Sequence, residues 1–539
     1  MLKNRFFYTL AALCVLTLLC RVFLVENLGI DLYVDEAQYW IWSKNLDFGY
    51  FSKPPGIALQ IWLSTQIFGD TLIGVKFLSM LCYVLASLLI FALIKQLNLS
   101  DKIAFYGGIT TLTLPIFAWL GLFASTDSLL VLEWILALYF FVQIVENQRN
   151  QILNSVILGA ILGFALLTKY TAAAWFLCAF LYLCCYKREF LISKKIIFLL
   201  IVLTISLLIF SPNLWWNYQQ NFPTLRHTAE ITIQKKSAGG FIPFAEFVLS
   251  QWLISGGIIF VIFLKIFPRV FNNFFWNNGN QNAQTALNLG VFFSLPLWII
   301  VALQALNKNA NANWAAPAFI PAILAVCAYY DFYKNNAKKI KIFIAINVIS
   351  VLITLLAYSW QNILPLFVSD SQKISKLNFY KRAQGWHQMA DSILPLLQSE
   401  NKNINIILLA ENRTLISHLS YELRDFVNVN FADFADISAE NPKKIRIISW
   451  NPQQTQSDYF QMISDLNKFK NQPNYVFFFV SDNKDAVKSA KFADYFQSID
   501  KKYYNFGNSN SDSRKIYLLK MQNFKGYKNK NKNKNTNKQ

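Results

Sequence analysis

The stretch LIGVKFLSMLCYVLASLLIFALI, residues 72–94, decides the fold class of this chain. It contains one charged residue, Lys76, and its other side chains are apolar or uncharged. A helix needs about 20 mainly apolar residues to cross the hydrocarbon core of a bilayer. This stretch therefore predicts a transmembrane helix.

Comparable apolar runs occur through the first two thirds of the sequence. Together with 72–94 they predict eleven spans: 6–25, 72–94, 103–123, 128–145, 152–167, 171–186, 196–215, 247–264, 286–305, 314–330 and 342–358. The two runs on either side of Lys169 are the shortest. The expected fold is a polytopic α-helical membrane protein with about eleven transmembrane helices.

Charge is distributed unevenly along the 539 residues. Asp, Glu, Lys and Arg total 38 in residues 1–360 and 42 in the 179 residues that follow. Over the whole chain only 15% of residues are charged, whereas an ordinary soluble domain has about a quarter. We therefore expect a membrane domain over 1–360 and a soluble domain over 361–524. A single soluble domain, a secreted disulfide scaffold and a disordered chain are excluded.

The soluble part alternates strand-like apolar runs with amphipathic, helix-like runs. The strand-like runs are INIILLA (404–410), KIRIISW (444–450), YVFFFVS (475–481) and KIYLLKM (515–521), and the helix-like runs are 413–425, 458–469 and 486–499. This alternation predicts an α/β layered domain. None of the seven cysteines follows Cys327, so no disulfide framework or zinc cluster is available there. The Lys- and Asn-rich tail, 525–539, is expected to be disordered.

Basic residues determine the expected orientation. With the N-terminus in the cytoplasm, the inner connections contain fifteen Lys and Arg residues and the outer ones seven, as the positive-inside rule requires. An odd number of spans then places the C-terminal domain outside, in the periplasm of a bacterium, with the protein in the inner membrane. The net charge of +20 is interpreted as this topology signal, so no nucleic-acid partner is predicted. Two long outer loops remain, 26–70 and 217–246.

Acidic residues on the outer side are the first candidates for chemistry. Asp35 and Glu36 lie in LYVDEAQYW (32–40), and Asp127 lies in ASTDSLLVLEW (124–134). A carboxylate near a membrane needs a partner or a function. Two interpretations remain open for Asp127, an N-cap of the following helix or a functional carboxylate. The other two residues are either a solvated pair or functional.

Basic residues on the same side complement these carboxylates. Lys53 lies in YFSKPPG (50–56), Lys169 in ALLTKYT (165–171), and Arg226 in the second outer loop. For Lys169, snorkelling to the interface is the alternative to a functional role. Carboxylates and cations from separate outer loops at one depth suit an anionic lipid headgroup that meets an acceptor at the membrane surface. No P-loop or dinucleotide fingerprint is present, which argues against direct use of a nucleotide.

These motifs together resemble a known family. DEAQYW, YFSKPPGIALQIWLSTQIFG, STDSLL and LGFALLTKYT are similar to the bacterial members of glycosyltransferase family 39 and its relatives. Those are C-type (GT-C) integral membrane glycosyltransferases, which include protein O-mannosyltransferases and the aminoarabinose transferase that modifies lipid A. The resemblance extends over most of residues 1–360.

The resemblance implies a reaction and a role for each residue. The donor is a sugar on a polyprenyl phosphate, and the acceptor is lipid A, another glycan or a protein hydroxyl. Asp35, first of the pair with Glu36, matches the catalytic carboxylate, and Asp127 matches a second aspartate near the acceptor and the donor. Lys53 and Lys169 match the residues that hold the donor phosphate, and we group Arg226 with them. Direct displacement at the anomeric carbon would invert its configuration.

Two departures from the family pattern bear on cofactor and acceptor. Aminoarabinose transferases have a Glu immediately before the motif lysine, where it forms a metal site with a later histidine; here the residue is Ser52. His227 without that carboxylate is a poor site, so no metal or other cofactor is predicted. Gln38 occupies a position that is often basic in lipid A enzymes, which weakens a specific lipid A assignment.

The competing class is a transporter or flippase of lipid-linked sugars, since many spans and buried charges suit it too. However, the charges lie in outer loops and not at the bilayer midplane, and the two halves show no hydropathy repeat. A structural or assembly protein, the third class, would leave Asp35 unexplained.

Overall fold

Two compact units make up the protein in a computed structural model. It describes residues 5–230, 240–273, 278–308, 310–401, 404–429, 445–454, 458–463, 465–489, 491–506 and 514–527. The first unit comprises Met1–Leu28 and Phe48–Phe367, and the second comprises Gly29–Asp47 and Val368–Gln539. We call them the helical unit and the α/β unit.

The helical unit is built from apolar helices. They are α1 (Arg5–Asn27), α3 (Gly56–Phe68), α4 (Leu72–Gln96), α5 (Asp101–Thr113), α6 (Pro115–Leu120), α7 (Thr126–Val145), α8 (Gln151–Thr168), α9 (Ala173–Tyr186), α10 (Glu189–Ile192), α11 (Ile196–Gln219), α12 (Pro223–Ala229), α13 (Phe241–Ile254), α14 (Ile258–Ile266), α15 (Gln281–Phe292), α16 (Leu295–Asn307), α17 (Phe319–Phe332) and α18 (Ala337–Phe367). The helix α2 (Val34–Lys44) belongs to the other unit.

Within the described residues, eight helical stretches are long and apolar enough to cross a membrane, or up to nine if one bent pair is counted as a single span. The multi-pass helical fold is therefore confirmed, but the count of eleven is not. The predicted span 103–123 is divided into α5 and α6 because Pro115 lacks the amide hydrogen that a continuous helix needs. The predicted span 171–186 forms an apolar helix, Tyr170–Tyr186, which is too short to be counted among these eight stretches.

The predicted span 247–264 is bent by 107° between α13 and α14. Gly256 and Gly257 lie at this break with φ of +72° and +78°. Glycine adopts positive φ without the steric cost of a Cβ atom, so this pair reverses the chain direction where an ordinary residue would continue the helix.

The α/β unit contains a five-stranded mixed sheet with helices around it. Its elements are α2, α19 (Ser371–Leu377), α20 (Trp386–Gln398), β1 (Asn405–Ala410), α21 (Arg413–Glu422), β2 (Ile445–Ser449), α22 (Tyr459–Ile463), β3 (Tyr475–Ser481), α23 (Lys484–Ser489), β4 (Phe496–Phe506) and β5 (Ile516–Phe524). The strand order is β2-β1-β3-β5-β4. The first three strands are parallel, with Ile407 opposite Arg446 and Phe477, and β5 is antiparallel to β3 and β4.

The predicted α/β domain is confirmed in class, with one local correction. The helix expected over 486–499 ends early, because β4 begins at Phe496 and pairs with β5. Phe496 is buried between the rings of Phe477 and Phe524. An apolar side chain that packs on the sheet core is better placed in an edge strand than on an exposed helix.

The boundary between the two units also differs from the expected one. The segment Gly29–Asp47, expected as part of an outer loop of the membrane domain, groups with the C-terminal residues, and the second unit begins at Val368 rather than at 361. The backbone of Asp31 donates to Ala383 O, and its carboxylate accepts from Trp386 N, both at 2.7 Å. These hydrogen bonds join the segment to residues that lie more than 350 positions away in the sequence. The expected disorder of the tail concerns residues that, from 528 onward, lie outside the described ones.

Candidate active site

Asp127 lies in the first turn of α7, two residues after Ser125, the residue that caps the helix. Its carboxylate binds side chains from two distant segments. Oδ1 accepts a hydrogen bond from Lys169 Nζ at 2.7 Å, and Oδ2 accepts one from Asn313 Nδ2 at 2.6 Å. Of the two interpretations left open by the sequence, the N-cap is wrong, because the carboxylate contacts these side chains rather than the free amides of α7.

This ion pair is shielded from water. The side chains of Lys169 and Asp127 are 10% and 2% exposed. Lys169 directly follows α8, and its ammonium group turns to the carboxylate instead of snorkelling. Coulomb attraction is much stronger in such surroundings than in water, and two contacts leave the Asp127 carboxylate one orientation.

The segment 48–56, which contains Lys53, is fixed on two other helices of the same unit. Asn213 of α11 donates from Nδ2 to Phe48 O at 2.6 Å, and Thr224 of α12 donates to Tyr50 O at 2.8 Å. Because both contacts are to backbone carbonyls, they fix the path of the chain and not one side chain. Lys53 is half-buried and lies three residues after Tyr50, the second of these two fixed positions.

This segment also meets the end of α8 next to Lys169. A Cβ atom on Gly56 would lie 2.8 Å from Thr168 Cα and 2.9 Å from Leu167 O, so only glycine allows this approach. The structure therefore brings the segment of Lys53 together with the pair of Lys169 and Asp127, at one corner of the helical unit.

Arg226 is the third predicted phosphate-binding residue. It lies on α12, where its side chain is exposed, and the described part of the chain offers it no hydrogen bond or ion pair. The neighbouring ring of His227 packs on Phe51 with centroids 5.2 Å apart, which places α12 beside the segment 48–56. A role for Arg226 toward phosphate remains a prediction.

Asp35 and Glu36 lie on α2, in the α/β unit, and their surroundings differ sharply. Glu36 is 1% exposed, and its Oε2 accepts a hydrogen bond from Tyr33 N at 2.8 Å, which closes the first turn of the helix. Asp35 is 44% exposed. The structure thus gives Glu36 a local structural contact and leaves Asp35 accessible; the catalytic roles predicted for both remain predictions.

Arg413 is the partner of Asp35. It opens α21, and its Nη1 lies 2.9 Å from Asp35 Oδ1 and also donates to Gln38 Oε1. Sequence reasoning missed this residue and Asn313. Arg413 lies three residues after the carboxyl end of β1, where ligands gather in open α/β sheets, and that position was the available signal. Asn313 lies in ANWAAPAF (312–319) and directly precedes the predicted span 314–330, so its polar side chain at the end of an apolar run was the available signal.

No candidate metal site occurs among the residues that the structure covers, because no three His, Cys, Asp or Glu side chains there are grouped so that they could hold an ion. The absence of a metal therefore remains a prediction from Ser52 and His227. The side chains grouped around Asp127 and around Asp35 carry carboxylates, lysines, one guanidinium and amides. Lysine and guanidinium groups bind phosphate oxygens, and carboxylates accept and donate protons.

Comparison with known proteins gives three kinds of match. A family described as dolichyl-phosphate-mannose-protein mannosyltransferase matches residues 52–216. The lipid A galacturonosyltransferase RgtD of Rhizobium johnstonii is 28% identical over 408 residues, which are 76% of this chain and 81% of the relative. Undecaprenyl phosphate-alpha-4-amino-4-deoxy-L-arabinose arabinosyl transferase 2 of Proteus mirabilis is 29% identical over 133 residues, 24% of each chain.

The fold is similar to that of a solved structure. ArnT from Cupriavidus metallidurans, crystallised with undecaprenyl phosphate, superposes with a TM-score of 0.56 at 14% sequence identity, covering 95% of this chain and 97% of that one. Its apo state gives a TM-score of 0.53 with coverage of 94% and 97%. At this identity the likeness concerns the fold.

Proposed function

We propose that this chain, a C-type membrane glycosyltransferase, moves a sugar from a polyprenyl-phosphate donor to lipid A on the periplasmic face of the inner membrane. Its resemblance to glycosyltransferase family 39 and its relatives, expected from the motifs, is confirmed by the family match over 52–216 and by a relative aligned over 76% of the chain. The acceptor is taken from the name of one curated relative, the lipid A galacturonosyltransferase RgtD. The other curated relative is named as an arabinosyl transferase, with undecaprenyl phosphate in its name.

One observation carries the proposal: the buried pair of Asp127 and Lys169, 2.7 Å apart, at the corner where Gly56 brings in the segment of Lys53. Cations at this place suit a phosphate that gains charge when the bond to the sugar breaks. A flippase moves the intact lipid and breaks no bond, so it has no need of a fixed cation at one headgroup.

The proposed chemistry is a single displacement. Asp35 accepts the proton of an acceptor hydroxyl, whose oxygen attacks the anomeric carbon. The bond from that carbon to the phosphate oxygen breaks, and polyprenyl phosphate leaves with the bonding electron pair. Lys53, Lys169 and Arg226 neutralise the leaving phosphate, while Asp127 orients Lys169. The sugar is transferred with inversion.

Transfer is tested with the purified full chain in lipid nanodiscs. The probe is undecaprenyl-phosphate-linked galacturonic acid with lipid A, because galacturonic acid is the sugar named for the RgtD relative; the aminoarabinose donor is the second probe. We expect lipid A heavier by one sugar residue and release of undecaprenyl phosphate, both measured by mass spectrometry. In proteoliposomes of the same lipids, which have separate inner and outer compartments, donor that crosses the bilayer intact, with no free undecaprenyl phosphate, would instead support the flippase.

The roles of Asp35 and Lys53 are tested in the same assay. Asp35→Asn should reduce transfer to a small residual rate, whereas Asp391→Asn, a change at an exposed carboxylate of the same unit, should leave transfer normal. Lys53→Ala removes a charge-assisted contact of about 1.5 to 3 kcal/mol, so the donor KM should rise by about one to two orders of magnitude. Normal transfer by Asp35→Asn would remove this residue from the mechanism.

The periplasmic orientation is tested separately. Fifteen inner and seven outer basic residues support it through the positive-inside rule. A reporter that is active only in the periplasm should be on when fused after Gln361 and off when fused at Lys194. The opposite pattern would place the reaction on the cytoplasmic face, where polyprenyl-linked donors are not required.

A further inference from the structure

We propose that Arg413, at the start of α21, is a positioning residue that holds the Asp35 carboxylate for proton transfer. The proposal rests on the proposed catalytic role of Asp35. Arg413 Nη1 lies 2.9 Å from Asp35 Oδ1, and the same nitrogen donates to Gln38 Oε1. One guanidinium nitrogen from the C-terminal part of the chain thus contacts two residues of α2.

The first turn of α2 contains no cation beside Asp35, so the guanidinium of Arg413 supplies the positive charge there. The basic residue of α2 is Lys44, in its last turn, and the first turn contains Asp35 and Glu36. Residues three apart on a helix share a face, so Asp35 and Gln38 present their oxygens to the same side. Arg413 lies on that side and joins the two.

Arg413 is itself fixed by its place in the fold. The Asn412 side chain caps α21 by accepting from Leu415 N at 2.9 Å, so the helix begins at a defined residue. At the other end of α21, the ring of Tyr421 packs edge-on against Trp40 of α2 with centroids 5.1 Å apart. Because α21 contacts α2 at both of its ends, Arg413 approaches Asp35 from a set direction.

The contact with Arg413 occupies one carboxylate oxygen of Asp35 and leaves the other available for proton transfer. In the part of the chain that the structure describes, Asp35 Oδ1 is engaged by Arg413 and Oδ2 has no partner. A half-exposed carboxylate without such a contact samples several rotamers, and a displacement of about 1 Å at a reacting group costs about 100-fold in rate. Glu36 does not replace Asp35, since it is buried and accepts from Tyr33 N.

A purely structural role would show as lower folding stability when Arg413 is removed. The side chains of Arg413 and Asp35 are 43% and 44% exposed, and ion pairs with that exposure add little to folding stability. For a positioning role we therefore expect that loss of Arg413 leaves unfolding unchanged while turnover falls.

The test uses the full chain in nanodiscs with undecaprenyl-phosphate-linked galacturonic acid and lipid A. Arg413→Gln should lower kcat about 100-fold with the KM of donor and acceptor unchanged and the same thermal unfolding midpoint, and Arg413→Lys should recover part of the loss. The matched control is Arg382→Gln, whose guanidinium donates to the Tyr33 hydroxyl at 3.0 Å, just before α2; its kcat should stay normal.

A double variant separates this proposal from the proposed function. In an Asp35→Asn background, Arg413→Gln should cause no further loss of the residual rate, because the two residues act as a unit. A normal kcat for Arg413→Gln, a raised KM with kcat unchanged, or an additive loss in the double variant would overturn the positioning role. Normal transfer by Asp35→Asn alone would instead refute the proposed mechanism, whatever Arg413 does.

Discussion

Removing one partner of the buried pair between Asp127 and Lys169 should destabilise the helical unit strongly. In Lys169→Met the carboxylate stays buried, 2% exposed, without its cation. Breaking a buried ion pair in this way typically costs about 3 to 5 kcal/mol, whereas an exposed pair is worth about 0 to 1 kcal/mol. Asn313 still donates to Asp127 at 2.6 Å, so we expect the lower end, about 3 kcal/mol.

The opposite variant should be worse, and the double variant better. Asp127→Asn leaves the ammonium of Lys169 buried, and Asp127 is its single hydrogen-bond or ion-pair partner among the residues described. We expect a loss near 5 kcal/mol, the upper end of the range. Asp127→Asn with Lys169→Met carries no buried charge and should regain most of this stability, although it should stay inactive in transfer.

The assay is reversible unfolding in mixed micelles with increasing dodecyl sulfate, followed by circular dichroism of the full chain. The matched control is Lys95→Met, which breaks the pair with Asp101, where the side chains are 33% and 43% exposed; it should cost about 1 kcal/mol or less. The reasoning is refuted if Lys169→Met costs no more than Lys95→Met, or if the losses of the two single variants add in the double variant.

Two further predictions concern packing and pH. Gly56→Ala places a Cβ atom 2.8 Å from backbone atoms of α8 and should lower stability by about 1 to 3 kcal/mol, measured in the same micelle titration, with Ala58→Gly in the same helix as the reference for a change of one methyl group. Burial and then the Asp31 carboxylate raise the pKa of Glu422 to about 7 from an ordinary 4.5, against the lowering effect of His387. Because the folded state then binds this proton more tightly than the unfolded state does, the free energy of unfolding should be highest below pH 4.5. It should fall by about 3 kcal/mol between pH 4.5 and 7 and stay low above pH 7. Glu422→Gln should remove that dependence in calorimetric scans of the full chain from pH 4 to 8, and an unchanged pH profile would contradict the raised pKa.

The sequence by itself determined the classes of structure. Apolar runs such as 72–94 lie in helices, here α4, and the alternating runs after 400 form an α/β sheet, because hydrophobicity and its period act locally along the chain. Motif spacing also singled out Asp35, Lys53, Asp127 and Lys169. Where the sequence misjudged a span, as at 103–123, the cause was the local backbone limit at Pro115, which apolar content does not reveal.

Tertiary structure alone decided which of these groups meet. Asp127 finds Lys169 at a separation of 42 residues and Asn313 at 186, and Gln38 finds Arg413 at 375. No periodicity encodes such contacts, since they follow from how buried faces pack after the helices and strands have formed. The same packing moved Gly29–Asp47 into the α/β unit. The partner of Asp35 is therefore a residue of the C-terminal part of the chain, Arg413. The sequence of the outer loop that contains Asp35 does not indicate this partner.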